Sequence, residues 1–153
     1  MDLIKSINTL KEERRLISRV IQNLSDEQLL IIPDEYKNNI LWNLGHIIIT
    51  QQFLHYTLSR VEMRVTKELV MLFRTGTSPA IWEKQPNIEE IKSLFIDLLD
   101  KFIEDYRNNL FTEFRPYKTS TGISLNDFEQ AVAFDHFHEG THAGIIMGIM
   151  KKL

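Results

Sequence analysis

The chain has 153 residues, which suits one domain with a full core and is too short for two, so we expect a single domain over residues 1–153. A formal net charge of -3 gives no basic surface for nucleic acid, and the lack of cysteine excludes disulfides, thiolate metal sites and a cysteine nucleophile. No apolar run approaches membrane-spanning length, and the first residues enter a charged amphipathic pattern without an apolar signal core. We therefore expect a cytoplasmic protein without a membrane partner.

The first part of the chain predicts one long helix and one short one. From Leu3 to Leu24 apolar residues recur at helical spacing, which indicates an amphipathic helix of about six turns, with Arg14 in the one gap of its apolar stripe. Ser25 has the pattern of an N-cap before a short helical turn, which Pro33 ends. A polar connection follows.

A second long helix is predicted from Ile40 to Arg60. Its first half is apolar on nearly every side, which is typical of a helix enclosed by neighbours, and His46 lies in that half. Considered alone, His46 is most simply a neutral side chain that hydrogen-bonds a backbone carbonyl. If a histidine pair lies on a facing helix, the three imidazoles instead supply the number of ligands that a catalytic zinc site uses.

The middle of the chain combines short helix and loop. Residues 62–73 fit a short helix, and residues 74–80 form a turn-rich segment before Trp82. This segment is a candidate rim of a pocket, and an ordinary surface connection explains it equally well. Asn87, with Glu90 three residues on, has a capping-box pattern and opens a third long helix that ends near Leu110.

The last part predicts an extended connection over residues 111–123, then a fourth helix that Ser124 and Asp127 cap and that runs to the C-terminus. Four long amphipathic segments without convincing strand alternation predict an all-α four-helix bundle. Metal sites in bundles are built on facing helices, so the second and fourth helices must be neighbours if their histidines share a site.

The fourth helix carries a histidine pair. His138 and His142 are four residues apart and therefore stack about one turn from each other on one face. They share with Asp135 a helical stripe that is apolar at both ends and polar in the middle. Burying these polar groups without partners is costly, so we expect a divalent metal ion to satisfy them.

Two carboxylates beside the pair are candidate catalytic residues. Asp135 could accept the second N–H of a ligating imidazole, or it could be a simple polar residue of the helix seam. Glu139 could act as a base on an activated water, although a solvated helix residue is the simpler interpretation. We exclude His136 as a ligand because it should point away from the pair, and we expect His55 to be structural or exposed.

Residues 138–142 also match the H-E-x-x-H pattern of zinc proteases. We do not expect a protease, because no strand is predicted that could align an extended peptide. On the opposite face, Gly140, Gly144 and Gly148 form a stripe that is costly for helix formation. It predicts the close approach of another backbone, from the first helix or from a second subunit.

The segments Trp42-Asn43-Leu44-Gly45-His46 and His138-Glu139-Gly140-Thr141-His142-Ala143-Gly144, in a helical chain of this length, resemble the DinB-like superfamily. Within it the chain is similar to YfiT-type metal-dependent hydrolases and bacillithiol transferases. The resemblance implies a metal triad at His46, His138 and His142, with zinc or nickel as the ion. It also implies an up-down-down-up bundle with a long crossover connection and a homodimer. Related members are transferases or isomerases that use low-molecular-weight thiols.

We therefore expect a metal-dependent enzyme that activates a low-molecular-weight thiol or water. Attack on a small electrophilic substrate then gives thiol transfer in the first case and hydrolysis in the second. The alternative is a non-catalytic, metal-binding or stress-related helical-bundle dimer, because function does not follow from fold.

Overall fold

The computed structural model describes residues 2–153, and most of that range is helical. Its α-helices are α1 (Leu3–Ile21), α2 (Asp26–Leu30), α3 (Ile40–Gln52), α4 (Lys67–Phe73), α5 (Ile88–Arg107) and α6 (Phe128–Met150). The remaining elements are a π-helix at Phe53–Thr57, a 3-10 helix at Pro79–Ile81, and the strands β1 (Tyr117–Lys118) and β2 (Ser124–Leu125). The predicted all-α class is confirmed.

Helices α1 and α5 are antiparallel neighbours. Lys11 pairs with Asp100, and the Arg14 guanidinium donates to the Phe95 carbonyl, so positions rise along α1 as they fall along α5. Side chains from both helices meet in one hydrophobic cluster at one end of the bundle. The buried stripe that the sequence predicts for each helix forms this contact.

Helices α3 and α6 are also antiparallel neighbours. The His142 ring contacts the Asn43 amide, while His55, further along the chain, contacts Asp135 on the earlier part of α6. The sequence required these two helices to face each other if their histidines share a site. The structure confirms this contact.

Helices α1 and α6 run parallel. Ser6 contacts His136, and about two turns further along α1 the Arg14 side chain contacts Glu139. Together with the two antiparallel contacts, this orientation gives the up-down-down-up bundle, which is confirmed. Because α3 and α5 point the same way, residues 58–87 must return along the bundle, and they form the long crossover connection that contains α4.

The helix starts follow local capping chemistry. The predicted caps at Ser25 and Asn87 are confirmed, since each side chain accepts a hydrogen bond from a backbone N–H of the first turn. For the last helix the cap is Asp127 alone. Ser124 belongs to β2, where it pairs with Lys118, so the predicted capping role of Ser124 is wrong.

Two helix boundaries around the crossover differ from the prediction. The α-helix predicted to reach Arg60 ends at Gln52 and continues as a π-helix to Thr57. Arg60 itself has φ 59, a left-handed conformation that stops a helix. The short helix predicted from residue 62 begins only after Thr66, whose hydroxyl accepts from the backbone N–H of Leu69 and so caps α4.

The connection predicted to be extended contains a small hairpin. Strands β1 and β2 pair antiparallel, which the sequence did not predict because two-residue strands show no alternation. The turn between them is closed by the Thr119 hydroxyl, which accepts from the backbone N–H of Ile123, and by Gly122 at φ +88. This turn reaches the cavity described below.

The first part of α3 is enclosed on all sides, as predicted from its continuous apolar sequence. Ile40, Leu41, Leu44 and Ile47 have no exposed surface and pack with residues from α1, α5 and α6. No helix within residues 2–153 combines the length and the apolar character needed to cross a bilayer.

The glycine stripe on α6 does not receive the first helix. A Cβ added at Gly140 or at Gly144 would meet no atom of the described residues within 4 Å, whereas one at Gly148 would lie 2.3 Å from the Tyr36 hydroxyl. The predicted close approach of the α1 backbone is therefore wrong. A side chain from the connection between α2 and α3 occupies the space at Gly148, and the other two glycines lie on the exposed face of α6.

Candidate metal centre

Three imidazoles from the two facing helices converge at one point. His46 comes from α3, and His138 and His142 come from α6, with ligand nitrogens that all lie within 4.8 Å of one another. The ring centroids are 4.6 to 5.2 Å apart. His46 is buried and the other two rings are half-buried, so the cluster sits at the edge of the core and could hold a divalent metal ion.

Outer contacts fix which nitrogen of two rings carries the proton. Nδ1 of His46 lies 2.7 Å from the Phe73 carbonyl oxygen, which can only accept, so Nδ1 donates and Nε2 keeps its lone pair. Nδ1 of His142 lies 2.7 Å from the Asn43 amide oxygen. That amide is oriented by its nitrogen, which donates to the Asn39 carbonyl, so His142 also donates through Nδ1 and keeps the Nε2 lone pair.

The third ring completes the argument for a cation. Nε2 of His138 lies 3.3 Å from Nε2 of His46. Two unprotonated nitrogens repel at that distance, so the contact requires either a proton on His138 or a cation shared by the cluster. Nδ1 of His138 is buried without a hydrogen-bond partner, which is costly for a polar atom. The donor set and its tautomers therefore fit a divalent metal ion bound through imidazole nitrogen.

Burial keeps the three imidazoles neutral. It lowers the pKa of His46, against the opposing effect of the hydrogen bond to Phe73. It lowers the pKa of His138 to about 4, even though the charge of Asp135 acts in the opposite direction. For His142, burial and the neighbouring imidazoles lower the pKa to about 3. All three imidazoles are therefore neutral near neutral pH, each with one ring nitrogen free of a proton, which is the form that binds a metal ion.

Two residues shortly before His46, Trp42 and Gly45, help to position its ring. Trp42 stacks on the His46 ring at 4.6 Å between centroids, and its indole N–H donates to the Thr77 hydroxyl. Gly45 leaves room for the Phe73 ring, which would lie 2.3 Å from an added Cβ. That close packing brings the end of α4 to α3 and places the Phe73 carbonyl at His46.

Asp135 and Glu139, the two candidate catalytic carboxylates, are both buried. Asp135 accepts a hydrogen bond from His55 Nε2 at 3.0 Å, and its second oxygen has no partner within residues 2–153. Glu139 accepts three hydrogen bonds from the Arg14 guanidinium, at 2.7 to 3.1 Å. The interpretation of Glu139 as a solvated helix residue is therefore wrong, because α1 covers it.

The other two histidines lie outside the cluster. His136 contacts Ser6 and Glu13 on α1, which agrees with its exclusion as a ligand. His55 has no exposed surface and stacks on Phe102 at 4.5 Å between centroids, so it belongs to the core. Its contact with Asp135 was not expected.

Sequence reasoning missed the partners that orient the site. Asn43 is a polar residue in an otherwise apolar stretch of α3, one turn before His46, and that position could have marked it as a second contact. Arg14 is the charged residue in the gap of the α1 stripe, which indicates a buried partner on another helix. The Phe73 contact uses a backbone carbonyl and has no signal in the sequence.

The histidine cluster lines a cavity of about 510 Å³, a size typical of small-molecule sites. Its wall is largely apolar and comes from α3, the π-helix, the crossover and α6: Ile49, Phe53, Leu54, Met63, Val70 and Phe134. Hydroxyl side chains of the hairpin turn complete the lining. The predicted pocket rim at residues 74–80 is confirmed for Arg74 and Thr75, which both line the cavity.

Fold and site together define a helical bundle with a candidate three-histidine metal centre beside a small-molecule cavity. A sequence model of the DinB superfamily matches residues 9–146. The chain therefore belongs to the DinB superfamily, as its two histidine-containing segments indicate. A search of curated proteins found no match.

Proposed function

We propose that this protein is a metal-dependent enzyme whose His46, His138 and His142 hold a divalent ion, zinc or nickel. Its reaction is the transfer of a low-molecular-weight thiol, of the bacillithiol type, to a small electrophile, or the hydrolysis of that electrophile. The observation that carries the proposal is the convergence of three neutral imidazoles, two of them with the proton held on the far nitrogen. Three protein ligands are the number that catalytic zinc sites use.

The protein's own residues supply orientation and a largely apolar environment. When bound, the ion supplies Lewis-acid activation, which lowers the pKa of a thiol or a water molecule. The Phe73 carbonyl and the Asn43 amide hold two of the imidazoles in the ligating tautomer. The largely apolar wall of the cavity favours small molecules with an apolar body.

We assign Asp135 a positioning role and Glu139 none in catalysis. The free oxygen of Asp135 and Nδ1 of His138 are both buried and both unpartnered, and they are one helical turn apart in the sequence. A carboxylate of this kind commonly holds the second N–H of a ligating imidazole. Glu139 is committed to Arg14 and does not line the cavity.

The cavity favours an enzyme over a purely structural metal site, because a structural site is closed by protein ligands on every side. The activity test incubates metal-loaded protein with bacillithiol and a chromogenic electrophile, beside a sample stripped of metal with EDTA. We expect turnover only in the loaded sample. Zero turnover with every low-molecular-weight thiol and with water would leave the non-catalytic dimer as the better assignment.

The metal ligands are tested by elemental analysis of protein purified without an affinity tag. His138→Ala removes one ligand and should lower metal affinity by more than roughly 100-fold. His136→Ala is the matched control. It removes an imidazole from the same helix, but that imidazole contacts α1 instead of the cluster. Equal metal content in both variants would exclude the proposed triad.

A further inference from the structure

Arg74 is an unpartnered cation in the cavity wall. It directly follows α4 and is exposed, and its backbone is fixed by hydrogen bonds to Val70 and Thr77. Its guanidinium has no hydrogen bond and no ion pair with any residue of the described range 2–153. The other two arginines of the crossover are both paired, Arg60 with Glu113 and Arg64 with Asp105.

The cavity offers Arg74 no counter-charge. Of the described residues that line it, none is an aspartate or a glutamate, and Arg74 is the one with a permanent charge. Its other polar lining consists of the imidazole cluster and uncharged hydroxyls such as those of Thr75, Ser120 and Thr141. A pocket with one cation and no anion attracts an anionic ligand.

The apolar side chains near Arg74 also restrict the rest of the anionic ligand. Val70, one turn before Arg74 on the same segment, lines the cavity, and so do Phe53, Leu54 and Phe134. A ligand that fills this cavity is apolar where it contacts these side chains and negatively charged where it reaches Arg74. A single guanidinium pairs bidentately with a planar carboxylate, while one cation leaves the higher charge of a phosphate largely uncompensated.

We propose that the cavity takes a small molecule with a carboxylate on an apolar body, and that Arg74 binds this carboxylate and so determines specificity. The inference deepens the proposed function, because it rests on the cavity being the substrate pocket. Because the histidine cluster lines the same cavity, the reacting group of the same molecule then lies toward that cluster.

The test measures binding of a matched pair of probes, 4-phenylbutyrate and 4-phenylbutanamide, to the full chain after metal removal with EDTA. Working without metal prevents the carboxylate from binding an ion directly. We expect the carboxylate to bind about tenfold more tightly than the amide. Arg74→Gln should abolish this preference without weakening the amide, and Arg74→Lys should keep part of it.

The control variant is Arg19→Gln, which removes an exposed arginine from α1, a helix that does not line the cavity. It should keep the full preference for the carboxylate. Equal binding of both probes to the wild type, no binding of either at millimolar concentration, or the same loss in Arg19→Gln as in Arg74→Gln would overturn the proposal. Repeating the titration with N-acetylcysteine and its amide separates the sources of the anion, and a preference confined to this thiol pair would overturn the assignment to an apolar molecule.

The result of this binding experiment is independent of whether the chain is a metal enzyme. A chain that binds no metal and still shows an Arg74-dependent preference keeps this inference and loses the metal enzyme. A chain that binds metal through its histidines and shows no preference has the opposite outcome.

Discussion

Helix α6 carries two polar clusters side by side, and they are built in opposite ways. In the first, the Glu139 carboxylate and the Arg14 guanidinium are fully buried and satisfy each other, with the Phe95 carbonyl accepting a further N–H. In the second, His138 and His142 meet His46 through ring nitrogens that could hold a divalent metal ion. One cluster is closed by its own hydrogen bonds, and the other has room for a cation between its imidazoles.

The difference separates a self-contained cluster from one that could hold a metal ion. A buried ion pair with all its hydrogen bonds made fixes the relative position of helices and leaves nothing to react. A group of neutral imidazoles with two tautomers fixed from outside could hold a divalent metal ion. Sequence distance from the histidines does not reveal this difference, because Glu139 directly follows His138.

The largest effect is expected from opening the closed cluster. Arg14→Met leaves the Glu139 carboxyl buried without its partner, and burial already raises the pKa of that carboxyl. Breaking one side of such a pair should reduce the free energy of unfolding by about 3 to 5 kcal/mol. Urea unfolding followed by circular dichroism measures the loss.

The double variant Arg14→Met/Glu139→Met distinguishes a stability role from a role in the site. It replaces both charges by apolar side chains of similar length, so most of the lost stability should return. Its metal affinity should match that of the wild type. A folded double variant without metal binding would contradict the division into closed and open clusters.

A smaller effect is expected from loosening the open cluster. Asn43→Leu removes the amide that accepts from His142 Nδ1, so this imidazole is free to place its proton on the ligating nitrogen. Metal affinity should fall by about tenfold to 100-fold, measured by competition with a chromogenic chelator. Gln51→Leu is the control, because Gln51 is a buried amide of the same helix whose one side-chain hydrogen bond is to Gln52. Equal losses in both variants would mean that repacking of α3, and not the tautomer, controls affinity.

The sequence predicted the open cluster better than the closed one. The pair His138 and His142 follows from helical spacing, and a buried histidine on the facing helix follows from the enclosed apolar stretch around His46. Both are local patterns. The partner of Glu139 is 125 residues away on α1, and no pattern within α6 indicates that another helix covers this carboxylate.

The same limit applies to the connections. The predicted end of the second long helix was wrong because the π-helix after Gln52 differs from an α-helix only in its hydrogen-bond register, which side-chain periodicity does not report. Strands β1 and β2 are too short to show alternation. The position of Arg74 in the cavity wall depends on Gly45 admitting the Phe73 ring, a contact between two segments that the sequence alone does not pair.

The smallest effect is expected from the glycines on the outer face of α6. These glycines contact neither of the two polar clusters that the helix carries. Gly144→Ala adds a methyl group where no atom lies within 4 Å and removes the helix cost of glycine. The free energy of unfolding should rise by about 0.5 to 1 kcal/mol, with metal affinity unchanged. Gly148→Ala should gain less than Gly144→Ala, because its Cβ would lie 2.3 Å from the Tyr36 hydroxyl and that side chain must shift.

This pair of variants also tests the second subunit that the glycine stripe and the family resemblance suggest. If a partner backbone packs on Gly144, the added methyl group separates the two chains, and the expected gain becomes a loss that grows as protein concentration rises into the dimeric range. Unfolding measured at several concentrations, with the oligomer followed by sedimentation, distinguishes the two cases. A gain in stability that does not depend on concentration places Gly144 on a free surface. Any dimer must then use another face of the bundle, and both polar clusters on α6 are formed within one chain.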